Sequence, residues 1–85
     1  MNENILKDIG LNIVLHRKLR GINQADFART CNLSVRNLSK IERGMDVNEV
    51  PLVVYLRIAE KLNVSLADLL KTTDVRVRNI CVKKI

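Results

Sequence analysis

The stretch from Asn23 to Gly44 constrains the fold more than any other part of the chain. It carries two short runs with helical spacing, separated by too few residues for anything but a tight turn. In the first run, Phe27 and Cys31 lie one turn apart and face inward, and the small Ala28 lets another helix approach closely. Asn23 can cap its free N–H groups, and Asp26 stands three residues on, as in a capping box. Asn32 follows where the backbone must turn left-handed, which asparagine tolerates better than any residue but glycine. Ser34 is a good cap for the second run. There Leu38 and Ile41 point inward, and Leu33 anchors the start. Val35, Arg36, Asn37, Ser39, Lys40 and Arg43 fall on the other faces, so the outer surface is polar and basic. Gly44 ends the helix.

The flanking segments extend a helical plan. A first helix is expected from about Asn4 to Arg20, with Ile9, Ile13 and His16 on one face and Ile5 and Leu6 behind them. Gly21 stops it. A second apolar row, Leu11, Leu15 and Leu19, occupies a different face, and one helix cannot leave two apolar faces in water. That row needs a cover, either the chain's own tail or another subunit. After a loop over Met45–Val50 carrying Asp46 and Glu49, Pro51 fits the first turn of a fourth helix to about Leu62, with Val54, Ile58, Ala59 and Leu62 inward. Asn63 stands where glycine is common. Ser65 and Asp68 repeat the capping pattern and open a short fifth helix through Leu70. The tail changes character: Val75-Arg76-Val77-Arg78 alternates strictly, Asn79 shifts the phase, and Ile80-Cys81-Val82-Lys83 follows. This reads as a strand with a bulge, or as a disordered basic tail. A lone strand is not stable, so a strand here would pair with its copy in a second subunit.

Eighty-five residues with 47% hydrophobic content make one domain with a compact core. Only 2% are aromatic, too few for a base-stacking platform. The net charge of +6 points to a polyanion, nucleic acid or an anionic membrane, or else serves solubility alone. The N-terminus has no secretory pattern and no run is long enough to span a bilayer, so a cytoplasmic protein is expected. Cys31 and Cys81 lack metal-ligand spacing and read as small buried hydrophobes. No nucleophile with an evident base, no phosphate-cradling glycine loop and no metal cluster stands out. An enzyme, a cofactor, a metal and a small-molecule ligand are therefore not expected. Nor is a membrane-surface helix, since the first helix has too few flanking cations.

Ile9-Gly10, Ile13, Arg17, Gly21-Ile-Asn-Gln24, Phe27-Ala28, Asn32-Leu-Ser34, Leu38-Ser-Lys-Ile-Glu-Arg-Gly44, Ile58-Ala59, Leu62-Asn-Val-Ser-Leu66 and Leu69 together resemble the phage-repressor/Cro type of helix-turn-helix domain, the XRE family. The resemblance implies an all-α, five-helix, lambda-repressor-like DNA-binding domain over residues 1–71. The resemblance covers about Ile9 to Leu70; beyond it, the alternation of the tail itself suggests that residues 72–85 form a short C-terminal β-strand, a dimerisation element paired across a homodimer. The resemblance also implies roles. Val35, Arg36, Asn37 and Lys40 would read bases. Arg17, Lys18, Asn23, Gln24, Ser34 and Arg43 would meet phosphates, and Arg17 with Glu42 would form a pair tying the first helix to the third. The candidate dimer residues are Leu11, Leu15, Leu19, Val75, Val77, Ile80 and Val82. His16 departs from the family's usual leucine and reads as a half-buried ring in preference to a pH sensor. Asn32 and Asn63 replace glycines, and the loop after Gly44 is slightly long.

The function so implied is a sequence-specific transcriptional regulator, a repressor acting as a homodimer on a palindromic operator in double-stranded DNA. Arg36 can give guanine two hydrogen bonds, Lys40 can do so more loosely, and Val35 suits a thymine methyl. The alternative is an antitoxin or protein-interaction module whose tail binds a protein partner.

Overall fold

The computed structural model describes residues 4–45 and 50–71 of the chain. Among these residues there are five helices and no strand: α1 (Asn4–Leu19), α2 (Gln24–Thr30), α3 (Val35–Arg43), α4 (Leu52–Leu62) and α5 (Leu66–Leu69). The expected strand over residues 72–85, with Val75, Val77, Ile80, Cys81 and Val82, lies outside the described residues, as does the loop carrying Asp46 and Glu49.

Four of the helices end in the same way. Gly21, Asn32, Gly44 and Asn63 all have φ between 60 and 68°, the left-handed conformation that glycine and asparagine tolerate. In each case the residue after it donates its N–H five positions back. The bonds run from Ile22 to Arg17, Leu33 to Ala28, Met45 to Lys40 and Val64 to Ala59, at 2.8–3.2 Å. Ile22, Leu33 and Val64 then pack their side chains against the core. The helix starts are local too. Ser34 Oγ accepts the Asn37 N–H at 3.0 Å, and Ser65 with Asp68 forms a reciprocal box at 3.0 and 3.1 Å. The Ser65 backbone N–H holds the Asp68 carboxyl below the usual aspartate range, helped by Lys71 and the Ser65 hydroxyl. Asn23 caps α2 through its side-chain oxygen, but Asp26 does not complete the expected box. Its carboxylate turns to Arg29 at 3.1 Å. Pro51 occupies the cap position just before α4, one residue earlier than expected.

α1 is the spine, packing against α3, α4 and α5, while α2 packs on α3 and α4 on α5. The core is aliphatic except for Phe27, with Ile13, Cys31, Leu38, Ile58, Leu62 and Leu69 fully buried around it. The buried face of α1 carries Ile9 and Ile13, with His16 half-buried as expected; Asn12 and Arg17 join it, and Ile5 is exposed. Asn12 is satisfied: its side-chain nitrogen donates to the carbonyls of Leu69 at 2.8 Å and Lys71 at 2.7 Å. With both partners acceptors, the amide orientation is fixed by chemistry. The α1–α3 crossing depends on Gly10. A methyl there would run into the Glu42 carbonyl and lie 2.6 Å from the Ile41 carbonyl oxygen.

Gly10→Ala is therefore expected to lose ~1–3 kcal/mol by overpacking, although alanine is the better helix former. Gly21→Ala meets open space but a φ of +68°, so strain of ~1–2 kcal/mol is its only cost. Urea unfolding of the two variants checks this ranking.

Candidate nucleic-acid interface

α3 is built to show one face and bury the other. Leu38, Ile41 and Glu42 point inward, while Val35, Arg36, Asn37 and Arg43 are exposed and Ser39 and Lys40 are half-buried. Arg36, Lys40 and Arg43 recur at spacings of four and three, which lines them along one stripe of the helix. Among the described residues, neither Arg36 nor Lys40 is engaged by a side-chain partner; Arg43 makes only a long 3.4 Å bond to the Ser39 carbonyl of its own helix. The four sequence candidates for base reading, Val35, Arg36, Asn37 and Lys40, thus stand at the surface of one capped helix.

A buried ionic cluster sets the position of that helix. Arg17 Nε donates to Glu42 Oε2 at 2.8 Å and Nη2 to Oε1 at 3.1 Å, a two-pronged pair whose side chains are 9% and 4% exposed. Arg17 Nη1 donates to the Ile22 carbonyl at 2.9 Å, and Gln24 Nε2 donates to Glu42 Oε1 at 2.9 Å. The Arg17–Glu42 pair therefore ties together α1, the turn after it, the start of α2 and the end of α3. The pair tying α1 to α3 is the one the resemblance implied, and it lies in the interior, where Gly10 lets α1 come close to the end of α3. One expectation is corrected: Arg17 is buried and committed, so it is not placed to reach a phosphate.

The other phosphate candidates keep some donors free. Gln24 spends one N–H on Glu42 and retains the second. Asn23 uses its oxygen as a cap, leaving its NH₂ open, and Ser34 does the same while keeping its hydroxyl hydrogen. Lys18 is exposed in the last turn of α1, about 100° round the helix from Arg17 and so away from α3. Lys7 was not singled out from sequence. It lines one cleft with Gln24, Ser39, Glu42 and Arg43, at the junction of α1, α2 and α3. Arg57 was also missed; it donates to the Cys31 carbonyl at 3.2 Å and closes the end of α2.

The leucine row divides. Leu11 opens onto the cleft beside α3, whereas Leu15 and Leu19 line a groove between α1 and α5. They are 48%, 48% and 79% exposed. Burial raises the Cys31 thiol pKa, partly offset by Lys61 and Arg57, as suits a core residue. Among the described residues there is no metal-like cluster, and no helix is long and apolar enough to cross a membrane.

Removing one partner of a buried ion pair leaves the other unpaired. Glu42→Ala is expected to cost ~3–5 kcal/mol, while Arg17→Met with Glu42→Leu recovers most of the loss. Thermal and urea unfolding of the single and double variants, read as a cycle, test this.

Comparison with known proteins agrees with the geometry. Residues 15–69 match the helix-turn-helix family, more than half of the chain. No curated protein matches by sequence. Among solved structures, a hypothetical transcription factor, NHTF, from Neisseria is 25% identical with a TM-score of 0.75, over 92% of this chain and 88% of that one. The clp gene regulator ClgR of Corynebacterium glutamicum is 26% identical with a TM-score of 0.70, over 78% and 68%. The restriction-modification controller protein C.AhdI of Aeromonas hydrophila is 26% identical with a TM-score of 0.67, over 75% and 94%. With its two capped helices, α2 and α3, the tight turn between them and the sequence match in register, the chain belongs to the helix-turn-helix family of DNA-binding transcription regulators, in the phage-repressor/Cro (XRE) type.

Proposed function

We propose that this protein is a repressor that binds a palindromic operator as a homodimer. The observation that carries the reading is the outward face of α3. Val35, Arg36 and Asn37, with Lys40, face solvent on a helix whose opposite side is locked by Leu38, Ile41 and the Glu42 carboxylate. In the major groove, Arg36 reads guanine through N7 and O6, Val35 packs on a thymine methyl, and Asn37 and Lys40 serve neighbouring positions. The free N–H of Gln24, the Asn23 amide, the Ser34 hydroxyl, Lys7 and Arg43 hold phosphates, while Lys18, turned away from α3, adds only long-range attraction; the resulting affinity falls steeply with salt.

One such helix reads too few base pairs to mark a single site, so two subunits share the work. A twofold axis would set half-sites about one helical turn apart, roughly 34 Å. Leu11, Leu15, Leu19 and the apolar residues Val75, Val77, Ile80 and Val82 supply the seam. C.AhdI is a controller protein and ClgR a gene regulator, and a role of that kind in transcription fits this chain. A second reading, in which a partner protein is the main ligand, draws on Leu52, Val53 and Leu56, exposed together on α4. It requires a monomer in isolation.

Selection of bound duplexes from random DNA is expected to return a palindrome. Arg36→Ala should flatten preference at one position of each half-site, a loss of ~1–3 kcal/mol in discrimination. An equal drop for all sequences would make Arg36 a phosphate contact. A chain ending at Thr73 is expected to run as a monomer that holds one half-site weakly; a dimer at that length moves the seam to α4 and α5.

A further inference from the structure

Asn12, Leu15, His16 and Leu19 follow one another at helical spacing along one side of α1, and Asp68 and Lys71 complete a groove with them. Two of its walls are large exposed aliphatic side chains, Leu15 and Leu19, and the protein leaves them uncovered among its described residues. The last described residue, Lys71, is part of this groove. Its carbonyl is held at 2.7 Å by the buried Asn12 side chain, which also holds the Leu69 carbonyl. The chain is therefore pinned to α1 at the point where residues 72–85 begin. Those residues alternate Val75-Arg76-Val77-Arg78, so an extended path puts both valines on one side and both arginines on the other. Reach is sufficient. Val75 lies four residues past Lys71, ~13 Å if extended, and Leu15 and Leu19 are ~6 Å apart along the helix.

We propose that residues 72–85 of the same chain lie across this groove, with Val75 and Val77 covering Leu15 and Leu19 and with Asn12 as the tether that aims them there. Arg76 and Arg78 then face outward on the free side of the segment. Seated this way, Leu15, Leu19, Val75 and Val77 are taken up within each subunit, which narrows the seam of the proposed homodimer to the remaining candidates, Leu11, Ile80 and Val82. The covering of α1 does not depend on DNA binding.

The test uses the full chain with Arg76→Cys and Cys81→Ser, spin-labelled at position 76; Cys31 is buried with a raised thiol pKa and stays unlabelled. Labelled chain, isotope-enriched and diluted into an excess of unlabelled, unenriched chain, is expected to lose the methyl signals of Leu15 and Leu19 by paramagnetic broadening. The losses should vanish when Val75→Asp and Val77→Asp are added, changes outside the described helices. No broadening, or broadening that survives both aspartates, overturns the proposal. Broadening seen only when enriched, unlabelled chain is mixed with labelled chain assigns the groove to a second copy's tail and also overturns it. Duplex selection with the parent chain reports on DNA recognition separately, so failure of either idea is distinguishable.

Discussion

The fold turns on one carboxylate. Glu42 sits at the end of α3, buried, and receives Arg17 from α1 in a two-pronged pair and Gln24 from α2. Such a pair adds little net stability compared with apolar side chains of the same size, since both charges lose their water. Its contribution is positional. The guanidinium fork and the carboxylate fit in one orientation, so the angle and register of α3 against α1 and α2 are specified. Gly10 makes this possible by letting the α1 backbone approach the Ile41 and Glu42 carbonyls. A side chain that must meet a base edge needs this kind of fixed support, because small displacements lose the hydrogen bonds.

Charge is divided between structure and recognition. Arg17 is consumed inside, Arg29 pairs with Asp26, and Lys71 pairs with Asp68. Arg36, Lys40 and Arg43 remain along α3, and Lys7 joins Arg43 across the neighbouring cleft. The net charge of +6 does not reveal this division. What matters is which cations have no internal carboxylate to satisfy them, and this depends on tertiary contacts.

That distinction explains what was legible in the chain. Helix ends and caps could be read directly because their causes are local. Asn32, Gly44 and Asn63 take left-handed backbone, and Ser34 and Ser65 bond three residues ahead. The inward face of α1 was harder. Periodicity placed Ile9 and Ile13 inside with His16 half-buried, as found, but gave no sign of Asn12 or Arg17, which are satisfied by partners 57 to 59 and 25 residues away; the Arg17–Glu42 tie was legible only through the resemblance. No local pattern announces a buried arginine. Gly10, alone inside an apolar helix, was the available signal of a close crossing, since glycine there weakens a helix unless something needs the space. Lys7 escaped notice because its cleft is assembled from three helices.

α1 joins the two halves of the problem. Arg17 on one side of it fixes α3, and Asn12, five residues earlier, fixes the end of α5 and the start of the tail. A helix of this length is stiff, so the position of the chain at Lys71 is referred through α1 to α3. In a twofold assembly the separation and tilt of the two α3 helices would then follow from how two α1 helices are held relative to each other. Under the proposed assembly, half-site spacing would be a property of α1 and its attachments, with α3 deciding which bases are read and α1 deciding how far apart.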